Sequence, residues 1–445
     1  MEPDVRSFLY ELEDKNLVKH VSREFSPRYE IAAILKHYDL EFTVIFEKIS
    51  NFNGKIVGNL CNTREKLSIA LNASKSRLHE HLLYALKNPR KPTMKDDAAF
   101  LDFSSPPNLS QIPILTYYEK DAGPYITSGV VISRDPDLGF QNMSIHRLLV
   151  VDKDTLAIRV VPRHLHHFIK KAEKRNQPLP VCIAIGLHPA ILLAAASSPP
   201  LGVDELHIAN TLLKDKLSVF KCEGTGLIVP ANAEYLLEGF LYPTCKVDEG
   251  PFVDATGTYD AVRKQPIIKL TGIFHRERPI YQALLPGGSE HRLLMGFHRE
   301  AAIKEAVSRV VPEVKSVRLT FGGCGWLHAV ISIRKVSDGD GKNAILAAFA
   351  AHPSLKHVVV VDEDVNVDDL NEVEWALATR FQAEEDLIVI RNARGSSIDP
   401  SADQEALITS KMGLDATRPL NKPTQHFMKG KIPISDKVKK FLLGE

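Results

Sequence analysis

Cysteine is sparse in this 445-residue chain. Its five cysteines, Cys61, Cys182, Cys222, Cys245 and Cys324, are scattered, odd in number and never spaced C-x-x-C. That pattern predicts neither a zinc site nor a disulfide framework, and it fits a reducing, cytoplasmic compartment. Charge of one sign is also missing. Lys and Arg total 56 against 55 Asp and Glu, a net +1, which gives no support for bulk nucleic-acid binding. No apolar run reaches the roughly 18 residues that span a bilayer. The longest candidate, AILLAAASSPPLGV, is cut by Pro199 and Pro200. The N-terminus, MEPDVRSFLYELEDK, is acidic and amphipathic, unlike a secretory signal. Two catalytic signatures are absent as well. Gly322, Gly323 and Gly325 of FGGCGW make neither GxGxxG nor a P-loop, and read as a turn between strands. No GxSxG elbow occurs.

What is present is a globular balance, 44% hydrophobic and 25% charged. At about 150 residues per domain the length predicts two or three domains. The first hundred residues alternate helix and strand. VRSFLYELEDKNLV is an amphipathic helix, Ser26-Pro27 reads as an N-cap for RYEIAAILKHY, and FTVIF and KIVGN are strands. Residues 88–112, rich in proline and polar side chains, read as a linker. A β-rich stretch with short turns follows, suggesting a sheet or barrel domain. From about Arg299 strand and helix alternate again, which implies an α/β layer. The segment GSSIDPSADQEALITSKMGLDATRPL reads as loop.

Several clusters are candidates for chemistry. RHLHHF places three histidines in four positions. His164 and His167 would share a helix face, and His164 and His166 a strand face. Imidazoles at such a junction suit a transition metal, although clustered histidines also cap and pack. DEDVNVDDLNEVE begins like a calcium loop with Asp362, Asp364, Asn366 and Asp368. It then puts Val367 where the loop needs Gly and Val373 where it needs the bidentate Glu. The better reading is an acidic strand end, with Asp368 or Asp369 capping the next helix. In QNMSIHR, alternation sends Asn142 and Arg147 to opposite faces of a strand. In EGPFVDATGTYD, Glu249 and Asp254 stand five residues apart beside a Gly-Pro kink. Paired with an arginine in a closed pocket, Glu249 would stay ionised while Asp254 carried a proton.

Taken in order, QNMSIHR, VVPRHLHHF, GVDELHIAN, PANAEYLLEGFL, EGPFVDATGTYD, FHRERPIY, VDEDVNVDDLNEVEWALATR and SKMGLDATRPL resemble the UbiD family of prenylated-flavin-dependent decarboxylases. The resemblance spans nearly the whole chain. It implies a mixed α/β (α+β) fold in three parts: an N-terminal α/β domain over 1–105, a split β-barrel flavin-binding domain over 106–298, and a C-terminal α/β domain over 299–425. A tail, 426–445, would be available for oligomer contacts. Residue by residue, it implies Arg147, Glu249 and Asp254 as the catalytic set. It implies Asn142, His164 and Glu205 as ligands of a divalent metal, usually manganese, at the flavin phosphate. Ser144, Ile145, His146 and Arg147, Arg159, Val160 and Val161, with Leu165, His166 and Lys411, would line the flavin. A potassium ion is a further implied cofactor.

The implied reaction is non-oxidative decarboxylation of an α,β-unsaturated or aromatic carboxylic acid, with Asp254 as proton donor. The flavin would come from a flavin prenyltransferase. The protein would be a homodimer or a hexamer with no nucleic acid and no membrane span. The compact length and GSSIDPSAD point to the archaeal branch, which converts trans-anhydromevalonate 5-phosphate to isopentenyl phosphate. A 4-hydroxy-3-polyprenylbenzoate decarboxylase of ubiquinone-type synthesis is the alternative. A non-catalytic flavin-binding or assembly protein is the alternative of another class, and net carboxylation a further one. Phosphate recognition would draw on Arg276, Arg278, Arg292 and Arg299.

Overall fold

The computed structural model describes residues 2–430 and 432–443; of the tail predicted over 426–445, positions 431, 444 and 445 lie outside them. By their contacts these residues divide into two compact units. One comprises residues 1–302, 319–328 and 395–408, the other 303–318, 329–394 and 409–445. The fold is mixed α/β, as the sequence implies.

The first unit opens with the helix Val5–Asp14. Val5, Phe8, Leu9 and Leu12 recur at helical spacing and are all buried. The helix starts where Asp4 and Ser7 form a reciprocal capping box. A four-stranded sheet follows, with Val18–Val21 parallel to Thr43–Phe46, and Lys55–Gly58 antiparallel to it. Its last strand, Ile280–Ala283, arrives from more than 200 residues away and pairs parallel to Lys55–Gly58. The Ser26-Pro27 signal starts no helix. Ser26 Oγ instead accepts from Arg28 N–H, and the helix Glu30–His37 begins one residue past Tyr29.

A nine-stranded antiparallel sheet forms the centre of this unit. Its order is Tyr125–Ile126, Leu148–Asp152, Thr155–Ile158, Arg263–His275, Tyr235–Glu249, Leu179–Ile185, Val130–Arg134 and Gln141–Ile145, with Phe103–Ser105 also pairing to Arg263–His275. The linker read over residues 88–112 is part of this packing. Thr93–Lys95 pairs parallel to Ser218–Lys221, Phe103–Ser105 adds to the long sheet, and Phe100 is fully buried. Three-residue strands are too short to carry a period, so polar composition masked them. The apolar stretch after Pro189 begins in the helix Pro189–Ala196, whose residues 189–195 are all buried. No helix among the described residues is long and apolar enough to cross a membrane.

The second unit is a five-stranded sheet ordered Glu313–Leu319, His328–Arg334, His357–Asp362, Ile408–Ala416, Leu387–Arg394. Valines 330, 359, 361, 365, 367 and 373 form its core with Ala376 and Ala416. The segment read as loop contains the strand Ile408–Ala416, parallel to His357–Asp362. Its alternating ITSKMGLDA hides one buried face among polar residues. The acidic stretch is no calcium loop: Asp362 and Asp364 grip the buried Arg380, and Asp369 caps Leu370–Arg380.

Candidate active site

Arg147 sits in the two-residue link between the strands Gln141–Ile145 and Leu148–Asp152. Strand alternation therefore does not set its direction, which corrects the opposite-face expectation for Asn142 and Arg147. The link is tied down by Arg159 N–H, which donates to Arg147 O at 3.2 Å. The guanidinium grips Glu249 bidentately, Nε to Oε1 at 2.8 Å and Nη2 to Oε2 at 2.9 Å. Nη1 donates to Asp254 Oδ2 at 3.3 Å, and Nη2 also to Asp260 Oδ2 at 2.9 Å. The ring of Phe252 lies beneath, 4.8 Å from the guanidinium carbon.

The hairpin bearing the acids explains their convergence. Phe252–Val253 pairs with Tyr259–Asp260, and the turn between them closes as Gly257 N–H donates to Asp254 O at 2.8 Å. Gly250 holds φ +100°, and a Cβ there would stand 3.2 Å from Ala261 O, so the bend after Glu249 requires glycine. Glu249 is wholly buried, and Tyr125 OH donates to its Oε1 at 3.2 Å. Burial, then the Glu249 charge, push the Tyr125 hydroxyl well above its ordinary range. Burial alone would lower Arg147, but its bond to Glu249 outweighs this and keeps the guanidinium firmly protonated. Asp254 is the acid with an open edge: its side chain is 25% exposed, against 0% for Glu249 and 14% for Asp260.

Asp260, Tyr125 and His291 escaped the reading of the sequence. Asp260 closes the same motif and also takes Arg263, with Arg159 Nε at 3.6 Å; its acidity is raised by those cations against the cost of burial. His291 has no such local signal. Its Nδ1 accepts the Gly287 N–H at 3.1 Å, so a neutral ring carries its proton on Nε2. Burial lowers its basicity, and the nearby Asp254 charge opposes that.

A second cluster gathers Asn142, Glu205 and His164. Glu205 opens the helix Glu205–Leu212, behind the cap Asp204. Its carboxylate accepts from Asn142 Nδ2 at 2.6 Å and from Met143 N–H at 2.8 Å. His164 Nδ1 lies 4.0 Å away. His164 is the first residue of the helix His164–Lys174, so it shares a helix face with His167 and no strand face with His166. Glu205 is 1% exposed. Burial pushes its carboxyl up to about 8, against the bond from Met143.

The remaining residues fall as follows. Ser144 Oγ meets His146 Nε2 at 2.9 Å, and His146 Nδ1 meets Arg159 O at 2.9 Å. A carbonyl only accepts, so Nδ1 bears the proton and Ser144 donates to Nε2. Ile145 ends the strand that carries Asn142. Val160 N–H donates to Gln265 Oε1 at 2.9 Å, and Val161 and His166 are half-buried. Leu165 is buried in the core with Phe168 and Ile169. Lys411 belongs to the second unit, where its ammonium donates to Pro353 O at 2.6 Å and to Leu355 O. Of the four arginines offered for phosphate, Arg276 is taken by Asp4 and Glu234, Arg292 by the carbonyls of Ala255 and Phe321, and Arg278 is exposed. Arg299 has no carboxylate partner among the described residues. It lies over Trp326 at 5.6 Å with its Nε unpartnered, and burial and the Arg163 charge lower it to about 10.

Comparisons with known proteins cover the whole of this architecture. Three family models match in sequence: the 3-octaprenyl-4-hydroxybenzoate carboxy-lyase N-terminal domain over residues 9–86, the Rift-related domain over 92–289 and the C-terminal domain over 292–416. An anhydromevalonate phosphate decarboxylase of Methanocaldococcus jannaschii is 49% identical over 410 residues, covering 91% of this chain and 95% of that protein. One from Methanothermobacter thermautotrophicus is 46% identical over 418 residues, covering 94% and 97%. Among solved structures, the UbiD-class enzyme HmfF from Pelotomaculum thermopropionicum in complex with FMN has a TM-score of 0.95 at 42% identity, covering 98% of each chain. An evolved dimeric form of it in complex with prFMN has a TM-score of 0.90 at 40% identity, covering 97% of each. The chain belongs to the UbiD family of carboxy-lyases.

Proposed function

We propose that this chain decarboxylates trans-anhydromevalonate 5-phosphate to isopentenyl phosphate, using prenylated FMN and a divalent metal. The observation that carries the reading is the buried Arg147–Glu249 pair with Asp254 on its open edge. It stands in a chain 43–49% identical to four proteins named anhydromevalonate phosphate decarboxylase.

The residues fit the implied cofactors. Glu205 is a buried carboxylate with no Lys or Arg partner among the described residues, flanked by an amide and an imidazole. That donor set suits a manganese-class cation held by Asn142, His164 and Glu205. Prenylated flavin, when bound, supplies an electrophilic carbon and a sink for the electrons that carbon dioxide leaves behind. The protein's own part is to bind, orient and protonate. Glu249 fixes the plane of the Arg147 guanidinium, and Arg147 orients the substrate carboxylate from its Nη1 edge. Phe252 walls the cation from water. Asp254 delivers the proton to the product carbon from the same edge. Arg299, with no anion of its own, receives the substrate phosphate.

Co-expression with a flavin prenyltransferase tests the reading. Carbon dioxide release and isopentenyl phosphate from the phosphorylated acid are expected. Release from a 4-hydroxy-3-polyprenylbenzoate alone would overturn the substrate assignment, and a purified protein without modified flavin would overturn the whole.

A further inference from the structure

Two of the scattered cysteines meet in the fold. Cys182 lies in the strand Leu179–Ile185, directly across from Glu238 of the strand Tyr235–Glu249. Cys222 opens the turn between Ser218–Lys221 and Ile228–Pro230. Its N–H donates to Leu227 O at 2.8 Å, and its carbonyl accepts from Gly226 N–H at 2.9 Å. The turn folds over the sheet and brings Cys222 Sγ to 3.8 Å from Cys182 Sγ. Thr225, in the same turn, places its hydroxyl 3.3 Å from Cys182 Sγ. The Thr225 hydroxyl and N–H donate to Glu238 Oε1 at 2.7 and 2.9 Å. Cys182 is 0% exposed, Cys222 3% and Glu238 7%. One ligand atom from each of the three lies within 4.8 Å of the other two.

Three features of this cluster fit a bound cation. First, zinc–thiolate bonds of about 2.3 Å at a tetrahedral angle put the two sulfurs about 3.8 Å apart, the separation found here. A disulfide needs about 2.05 Å. Second, Glu238 has no Lys or Arg partner among the described residues, and a buried carboxylate ordinarily has a cation beside it. Third, the turn backbone closes directly over the carboxylate: a Cβ at Gly224 would stand 2.9 Å from Glu238 Oε2. Cross-strand partners share a face, which puts Glu238, Cys182, Ile132 and Met143 together. Asn142, one residue before Met143, faces the other way, so this cluster is separate from the Asn142, His164 and Glu205 set.

We propose that Cys182, Cys222 and Glu238 form a structural site for a zinc-class divalent cation, with water or the Thr225 hydroxyl in the fourth position. Binding replaces two S–H bonds by two metal–thiolate bonds and releases two protons to solvent, with no change of oxidation state. The cation staples the turn to the central sheet. The same hairpin clasps Gln141 through two hydrogen bonds to Ile228, at 2.8 and 3.0 Å, and so steadies the strand that carries Asn142.

The test is cobalt(II) titration of the reduced, metal-stripped full chain. One equivalent should give a near-ultraviolet thiolate-to-cobalt charge-transfer band that zinc abolishes. The band should persist in Asn142→Ala and vanish in Cys182→Ser and Cys222→Ser. Glu238→Gln keeps both sulfurs and guards against misfolded cysteine variants. Losing a group that merely orients a ligand costs about tenfold in metal affinity, so losing this carboxylate should cost at least that. Cobalt binding by the folded wild type without a thiolate band would overturn the proposal, as would a native Cys182–Cys222 disulfide found by mass spectrometry.

Discussion

At the scale of single residues, what distinguishes this site is which groups keep an open edge. Asp254 has the exposed edge that a proton donor needs, and Glu249 has none. Asp254→Asn is expected to lower turnover about a hundredfold or more while flavin loading stays normal. Full turnover would remove Asp254 from the reaction. Arg299→Met should raise KM for the phosphorylated acid about ten- to a hundredfold and leave kcat nearly unmoved, since a bond to a charged group contributes about 1.5–3 kcal/mol. An unchanged KM would place the phosphate elsewhere. His146 makes a pH prediction. Burial, against the bond to Arg159 O, lowers it from 6.5 to about 4, so the folded protein favours the neutral ring. Its contribution is whole above 6.5 and is lost as pH falls through 4. Unfolding midpoints measured across that window should fall more steeply for wild type than for His146→Gln.

At the scale of elements, short segments carry more than their composition suggests. Residues 88–112 have the texture of a linker, yet Phe100 is 1% exposed and packs edge-on against Phe220 at 5.8 Å. Phe100→Ala should cost about 3–5 kcal/mol in denaturant unfolding, the range for a buried aromatic, whereas a linker side chain would cost almost nothing. The hairpin Phe252–Asp260 is a second case. Glu249, Asp254 and Asp260, far apart in an extended chain, would repel one another once gathered without a cation between them. The turn fixed by Gly257 and the bend at Gly250 bring them together only where Arg147 waits.

At the scale of the whole molecule, distant stretches are joined by buried polar hubs. In the first unit Glu300, 2% exposed, accepts twice from Arg64 Nη2 at 2.6 Å and once from Leu319 N–H at 2.8 Å, and meets His79 Nε2 at 2.8 Å. Its removal takes the carboxylate from a half-buried Arg64 and leaves the buried Leu319 N–H without its acceptor, so Glu300→Ala should cost about 2–3 kcal/mol. A loss below 1 kcal/mol in the denaturant midpoint would show that the hub is dispensable.

The sequence alone determined the class of fold, much of the order of helix and strand, and the two groups of candidate site residues that lie in compact motifs. Local periodicity and short-range spacing are written along the chain, and Arg147, Glu249, Asp254, Asn142, His164 and Glu205 each sit in such a motif. Tertiary structure decided the rest. It closed the N-terminal sheet with Ile280–Ala283, turned the strand-like Arg147 into a loop residue facing Glu249, and left the Nε of Arg299 unpartnered. It also brought Cys182 Sγ to 3.8 Å from Cys222 Sγ, 40 residues away in sequence. Cross-strand register brings such groups together, and no local pattern records it.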